Sequence, residues 1–209
     1  MKRSEARVVF GCASVLLSYP EGNYAEDLIA VADALGRLPK GSVTSRLERT
    51  RAWLAGMSRM EAAASYVEVF DLRRRRTLHL TYYRHGDTRE RGMALAALIE
   101  AYRQAGVRVV PNELPDFLPA LLELAAQSST GAALLREHRA AIDTLSIDLA
   151  SEDSPYAETV SAVGDTLGVP SRADREAVHR YRAQGPPSER VGLEPFAPPE
   201  FVAMGPTRR

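Results

Sequence analysis

One pattern recurs along this chain: a Ser, Thr or Asn, often with an acid three residues on, then apolar residues at three-and-four spacing, then Gly or Pro. The first side chain satisfies a free N–H at a helix start, the spacing builds one apolar stripe, and Gly or Pro ends the run. A chain punctuated in this way throughout folds as an all-α bundle. Asn23 heads a helix over 24–35 with Leu28, Ile29, Ala32 and Leu35 as its stripe and Gly36 as its stop. Ser45 and Glu48 form a box ahead of Leu47, Trp53 and Leu54, and Ser58-x-x-Glu61 opens a helix whose Met60, Ala63, Ala64, Val67 and Phe70 share a face up to Leu72. The same reading predicts helices over 88–105, 116–126, 131–149, 155–167 and 171–184.

At the start of the chain, Lys2 and Arg3 precede an uncharged run from Val8 to Pro20, which imitates a secretory signal. Glu5 in the would-be basic region and the lack of an Ala-x-Ala site argue instead for an amphipathic first helix, with Val8, Val9, Cys12, Val15, Leu16 and Tyr19 on one face. Its apolar stretch is too short to span a bilayer.

With 209 residues, 45% of them apolar, the chain can bury one sizeable core. The 27 basic residues equal the 27 acidic ones, so the broad positive field of a nucleic-acid or membrane-surface binder is missing and charge recognition must be local. The one cysteine excludes an intrachain disulfide framework and an all-cysteine metal site, and points to a reducing, cytoplasmic setting. Two stretches resist the helical reading: 77–82 alternates like a strand and 107–110 is short and β-branched, and both are expected as extended connections on a helical core. After Gly185 come six of the thirteen prolines and no helical period, so the expected organisation is one domain over 1–184 and an extended or mobile Pro-rich tail over 185–209.

Three clusters could carry chemistry. Arg73 to Arg76 is the densest charge run, most simply a solvated or ion-paired loop. In His85-Gly86-Asp87-Thr88-Arg89-Glu90-Arg91-Gly92, Asp87 or Thr88 can cap the next helix, and Arg91 continues its Ala94, Leu98, Ala101, Tyr102, Ala105 stripe. An arginine on a buried face needs a carboxylate, here Asp71, Asp87 or Asp116. In Glu113-Leu114-Pro115-Asp116-Phe117-Leu118-Pro119, Pro119 is harmless only in a first helical turn, which makes Asp116 an N-cap; a start nearer Glu113 would instead align Glu113, Asp116, Ala120 and Glu123 as an acidic track for a basic peptide. As metal ligands, His79, His85, Asp87, Glu113 and Asp116 have unconvincing spacing, and a single Glu176-x-x-His179 falls short of a di-iron set. No catalytic residue and no metal or cofactor site is assigned, although a helical metal-dependent enzyme and an Arg-rich DNA-binding regulator stand as competing readings.

Taken in order, Tyr66-x-x-x-Phe70-Asp71, Leu78-x-Leu80, His85-Gly86-Asp87-x-Arg89-x-Arg91-Gly92, Tyr102-x-x-x-Gly106 and Glu113-Leu114-Pro115-Asp116-x-Leu118-Pro119 resemble the NarJ family of nitrate reductase molybdenum cofactor assembly chaperones, also called the nitrate reductase delta subunit. Leu16-Leu17-Ser18-Tyr19-Pro20 and Ser154-Pro155-Tyr156-Ala157 extend the resemblance to about Gly168. It implies a compact single-domain helical bundle of the wider TorD-like group: not an enzyme, but a system-specific chaperone. Such a protein would bind the N-terminal segment of the apo nitrate reductase alpha subunit and hold it competent for molybdenum cofactor insertion. It would act as a monomer or weak homodimer, without nucleic acid or stable membrane insertion. The family's Glu-x-x-Asp segment carries onto Glu113 and Asp116; many relatives have His after that Asp, where this chain has Phe117. The peptide groove is expected to have Tyr66, Phe70, Phe117 and Leu121 as its floor and Asp116 and Glu123 at its edge, with Arg89 and Arg91 beside it.

Overall fold

A computed structural model describes residues 1–109 and 113–187. Among them are eleven α-helices and no strand. They run α1 (Arg3–Leu17), α2 (Tyr24–Gly36), α3 (Ser42–Ala55), α4 (Arg59–Tyr66), α5 (Leu80–His85), α6 (Arg89–Gln104), α7 (Leu118–Gln127), α8 (Ser129–Glu137), α9 (Arg139–Ala150), α10 (Tyr156–Leu167) and α11 (Arg172–Gln184). Of the Pro-rich tail, the stretch 188–209 lies outside the described residues.

The first helix is central. Val9, Phe10, Cys12, Ala13, Leu16 and Leu17 are all buried, because α1 is packed on by α2, α3, α7 and α10 at once. A helix surrounded in this way needs an apolar arc wider than one stripe. Val15 and Tyr19, expected inside, are 40% and 46% exposed and face a groove described below. α10 lies between α1, α3 and α9, and α11 covers α9. Across the α3–α10 contact, Arg46 and Arg49 both reach Glu158, at 2.9 and 2.8 Å, and the buried Thr50 hydroxyl donates to Pro155 C=O at 2.9 Å.

Several boundaries depart from the sequence reading, each for a local reason. The Ser45–Glu48 box is not used: α3 starts earlier, where Thr44 Oγ1 accepts the Gly41 N–H at 2.9 Å, and Glu48 pairs with Arg51 instead. Ile29 is 62% exposed, and Val31 takes its place on the buried face of α2. The Ser58–Glu61 box does open α4, but the run towards Leu72 ends as a π turn over Val67–Asp71 and is followed by a 3₁₀ turn, Arg74–Arg76. The helix expected over 131–149 is two, broken at His138 (φ −93°, ψ 16°). Gly131 is required by close approach, since a Cβ there would lie 2.3 Å from the Ala125 backbone nitrogen at the tight α7–α8 turn. Gly86 combines a φ of +56° with the Pro187 carbonyl where its Cβ would go, so the segment leaving α11 rests on the α5–α6 turn.

Candidate functional site

The Asp116 region is built by an extended contact. Leu80 N–H donates to Asp116 C=O at 3.0 Å and Leu118 N–H donates to Leu78 C=O at 2.8 Å, forming a single antiparallel bridge between His79 and Phe117. The strand-like alternation of 77–82 is therefore realised only as far as His79; from Leu80 the chain is helical. The reason is Asp116 itself. Its Oδ2 accepts the Thr81 N–H at 3.2 Å, in the first turn of α5, and the Thr81 hydroxyl as well. A carboxylate from 35 positions away caps the helix start.

Asp116 is fully buried, neither an exposed edge acid nor the N-cap of α7. Because its backbone is engaged by the bridge, α7 starts at Leu118 with Phe117 in the N-cap position and Pro119 still within the first turn. His79 Nδ1 lies 3.0 Å from Asp116 Oδ1, and Arg91 Nη2 lies 3.4 Å from Oδ2. Burial alone would raise the Asp116 pKa, but hydrogen bonds from His79 and Thr81 and the charges of His79 and Arg91 together hold it below the ordinary carboxylate range. An ionised carboxylate only accepts, so the facing His79 nitrogen carries the proton. Arg91 has its expected partners: Asp87 at 3.6 Å as well as Asp116, with its guanidinium 5.7 Å from the Tyr82 ring centre. Asp71 is not among them. The cluster joins α5, α6 and α7 and leaves Asp116 no room to meet a peptide.

The predicted aromatic residues form a ladder. Tyr19 meets Tyr66 edge-on at 5.4 Å between centroids, Tyr66 meets Phe70 at 4.9 Å, Phe70 meets Tyr156 at 4.9 Å, and Tyr156 meets Trp53 at 5.1 Å. Tyr66 and Phe70 are buried rungs behind the surface, not a floor, and Leu121 lies wholly in the core. Phe117 is half-buried against the His79 ring at 5.5 Å. Arg89 is exposed at the first position of α6.

What opens to solvent is a groove where α1 ends and α2 begins. A cavity of about 410 Å³ has Val15, Tyr19, Leu28, Leu54 and Tyr156 as apolar walls and Glu21, Asp27 and Glu123 as acids. Across Tyr24 and Leu28, which line both, lies a second cavity of about 570 Å³ that includes Ile29, Ala55, Met57, Arg51 and Arg59. Two hydrogen bonds set the frame: Ser14 Oγ donates to Pro119 C=O at 2.8 Å, holding α1 to α7, and the Tyr24 hydroxyl donates to Leu54 C=O at 2.6 Å, holding α2 to α3. Of the predicted site residues, only Glu123 lines this groove. Glu113, half-buried, has its pKa raised by burial and then by the charge of Glu123, against the opposing charge of His79. Val15, Tyr19, Leu28 and Tyr156 were not foreseen as its walls. The available signal was Tyr19-Pro20-Glu21, an aromatic at a helix end followed at once by a breaker and an acid.

Among the described residues, no three His, Cys, Asp or Glu side chains converge as a metal site. His85 Nδ1 is 3.3 Å from Glu90, and Glu176 pairs with Arg172 at 2.8 Å. Within the arginine run, Arg76 is buried and pairs with Glu152 at 3.5 Å. No helix among the described residues is long and apolar enough to cross a membrane.

Comparison with known proteins agrees with this architecture. Residues 40–162 match the family model described as nitrate reductase delta subunit. The chain is 42% identical over 169 residues to the nitrate reductase-like protein NarX of Mycobacterium tuberculosis (strain H37Rv), a match covering 77% of this chain and 25% of NarX. It is 29% identical to the probable nitrate reductase molybdenum cofactor assembly chaperone NarJ of Bacillus subtilis (strain 168), over 76% of this chain and 87% of that protein. To the nitrate reductase molybdenum cofactor assembly chaperone NarJ of Escherichia coli (strain K12) it is 33% identical, over 69% of this chain and 63% of that protein. The chain thus spans only a quarter of NarX. The ordered motifs, the all-helical bundle and a family match covering more than half of its length lead to one conclusion: the chain belongs to the nitrate reductase delta subunit family.

Proposed function

We propose that this protein is a nitrate reductase assembly chaperone that binds the N-terminal segment of the apo alpha subunit and holds that subunit competent for molybdenum cofactor insertion. Relatives named as molybdenum cofactor assembly chaperones support the general role. The observation that carries the peptide-binding part is the groove: two adjoining cavities of about 410 and 570 Å³ separated by Tyr24, with Val15, Tyr19 and Ile29 left open to solvent beside them. A helix laid across Tyr24 would bury those apolar side chains against its own apolar face, the mode by which amphipathic segments dock in grooves. The cofactor is the client's cargo, and this chain's part is to keep the client open. Its setting is the cytoplasm, and it works as a monomer or weak homodimer.

Titration with a synthetic peptide copying the alpha subunit's N-terminal segment tests the reading. Calorimetry is expected to give saturable binding with a negative heat-capacity change, and the uncharged Val15→Asn is expected to weaken it with little change in the thermal midpoint. Failure to bind that peptide, with binding to the folded mature enzyme, would refute it. Sedimentation of the free and peptide-bound protein reads the oligomeric state.

A further inference from the structure

The smaller cavity differs from its neighbours in charge. Its lining holds Glu21, Asp27 and Glu123 and no Lys, Arg or His. The adjoining cavity balances Glu26 with Arg51 and Arg59, and a third, between α9, α10 and α11, sets Arg46, Arg139 and Arg175 against Asp143 and Asp165. Among the described residues none of the three acids is in an ion pair, Glu123 having only a 3.4 Å contact with the Gln127 amide. A second observation is independent of these charges. Tyr156, which lines the same cavity, is 1% exposed, and its hydroxyl has no hydrogen-bond partner. The neighbouring Tyr24 hydroxyl, by contrast, is committed to Leu54 C=O. Buried hydroxyls are ordinarily paired; of the four unpaired ones among the described residues, on Tyr102, Ser154, Tyr156 and Thr159, only that of Tyr156 belongs to a residue in this cavity's wall.

We infer that this cavity is a socket for one basic side chain, Lys or Arg, of the bound segment. The inference rests on the peptide-binding reading above and names the chemistry that reading leaves open. The methylene stem would run between Tyr19, Leu28 and Tyr156, as long basic side chains cover apolar and aromatic surface. The cationic head would sit among Glu21, Asp27 and Glu123 and donate a hydrogen bond to the Tyr156 hydroxyl oxygen. Three unpaired carboxylates around low-dielectric walls give such a head more attraction than open surface would, and they disfavour an acidic residue at that position. The socket is separate from the Asp116 cluster, whose carboxylate is already occupied by Thr81, His79 and Arg91.

The test uses the full chain and the alpha-subunit N-terminal peptide, with each basic residue of the peptide changed in turn to norleucine, which keeps the stem and removes the charge. Trp53, the chain's one tryptophan, touches Tyr156 and serves as the fluorescence reporter. One norleucine peptide is expected to bind about ten-fold more weakly at low salt, the loss of a charge-assisted contact. Glu123→Gln and Asp27→Asn should weaken the native peptide but leave that norleucine peptide's affinity unchanged. Tyr156→Phe should weaken the native peptide several-fold with an unchanged thermal midpoint. Equal affinity for all norleucine peptides, or a Tyr156→Phe variant that binds normally, overturns the socket while peptide binding stands. Absence of binding by any peptide overturns both readings together.

Discussion

Replacing Asp116 by Asn changes almost no volume but removes the charge around which three helices meet. The Asn oxygen can still accept from Thr81 N–H and its hydroxyl, so the α5 cap is retained. The charge-assisted bond to His79 at 3.0 Å is lost, and the Arg91 contact at 3.4 Å, made to the same oxygen as Thr81, loses its opposite charge. At about 1.5 kcal/mol for each bond to a charged group, the two together are worth about 3 kcal/mol. Water offsets part of this, because the side chains of Arg91 and His79 are 17% and 33% exposed while Asp116 is fully buried. The new amide nitrogen works the other way: it takes the place of Oδ1 opposite His79 Nδ1, where two N–H donors then face each other. We expect a net loss of about 2–3 kcal/mol at pH 7, read from urea unfolding followed by far-ultraviolet circular dichroism. The folded-state pKa of Asp116 lies below its unfolded value. Its stabilisation is therefore fully present above about pH 4, where the unfolded carboxyl is ionised, and is lost as pH falls through the folded pKa. The gap between wild type and variant should close on acidification. A variant within about 0.5 kcal/mol of wild type at pH 7, the range of an ordinary surface substitution, would refute the reasoning.

Gly86→Ala should cost more than about 1 kcal/mol by urea unfolding, because φ is +56° and the new methyl meets the Pro187 carbonyl. The Cys12 thiol, pushed up to about 11 by burial, should resist iodoacetamide at pH 8 in the native protein and react at once in urea, as mass spectrometry would show. Arg76→Met should destabilise more than Arg172→Met in thermal melts, since Arg76 is buried against Glu152 while the Arg172–Glu176 pair is solvated. Tyr19→Ala should leave the midpoint of unfolding nearly unchanged but weaken binding of the alpha-subunit peptide, measured by calorimetry, because this half-exposed ring is a groove wall.

Two of the helices that sequence periodicity located have starts decided locally. Ser58 with Glu61 begins α4 by reciprocal bonds within four residues, and Ser171 does the same with Asp174 for α11. α5 was illegible because its cap comes from a distant carboxylate, and 77–82 on its own reads as alternation. The same long-range contact misled the reading of Asp116, whose position before Pro119 imitates an N-cap. Periodicity correctly put Arg91 on a buried face next to a carboxylate, since stripe membership is a local property. It failed for Val15 and Tyr19 because a groove wall and a core face have the same spacing, and only the packing of other helices distinguishes them. The family motifs identified the fold and drew attention to Glu113–Asp116, which proves to be a joint, while the open groove lies on less conspicuous residues.

Among the described residues, few buried side chains hold α6 to the bundle. Over sixteen residues it fully buries only Leu98 and Tyr102, and Met93 and Ile99 are 69% and 53% exposed. Arg91 attaches it to Asp116, and Glu90 meets His85 of α5 at the surface. Opening of such an element forfeits little apolar burial, so its free energy should lie far below that of global unfolding. In native-state hydrogen exchange, the α6 amides should form a cooperative unit that opens well before α1, α7 and α10, and Asp116→Asn should accelerate that unit selectively. The buried carboxylate then sets how often one flank of the bundle peels away from a core that stays folded.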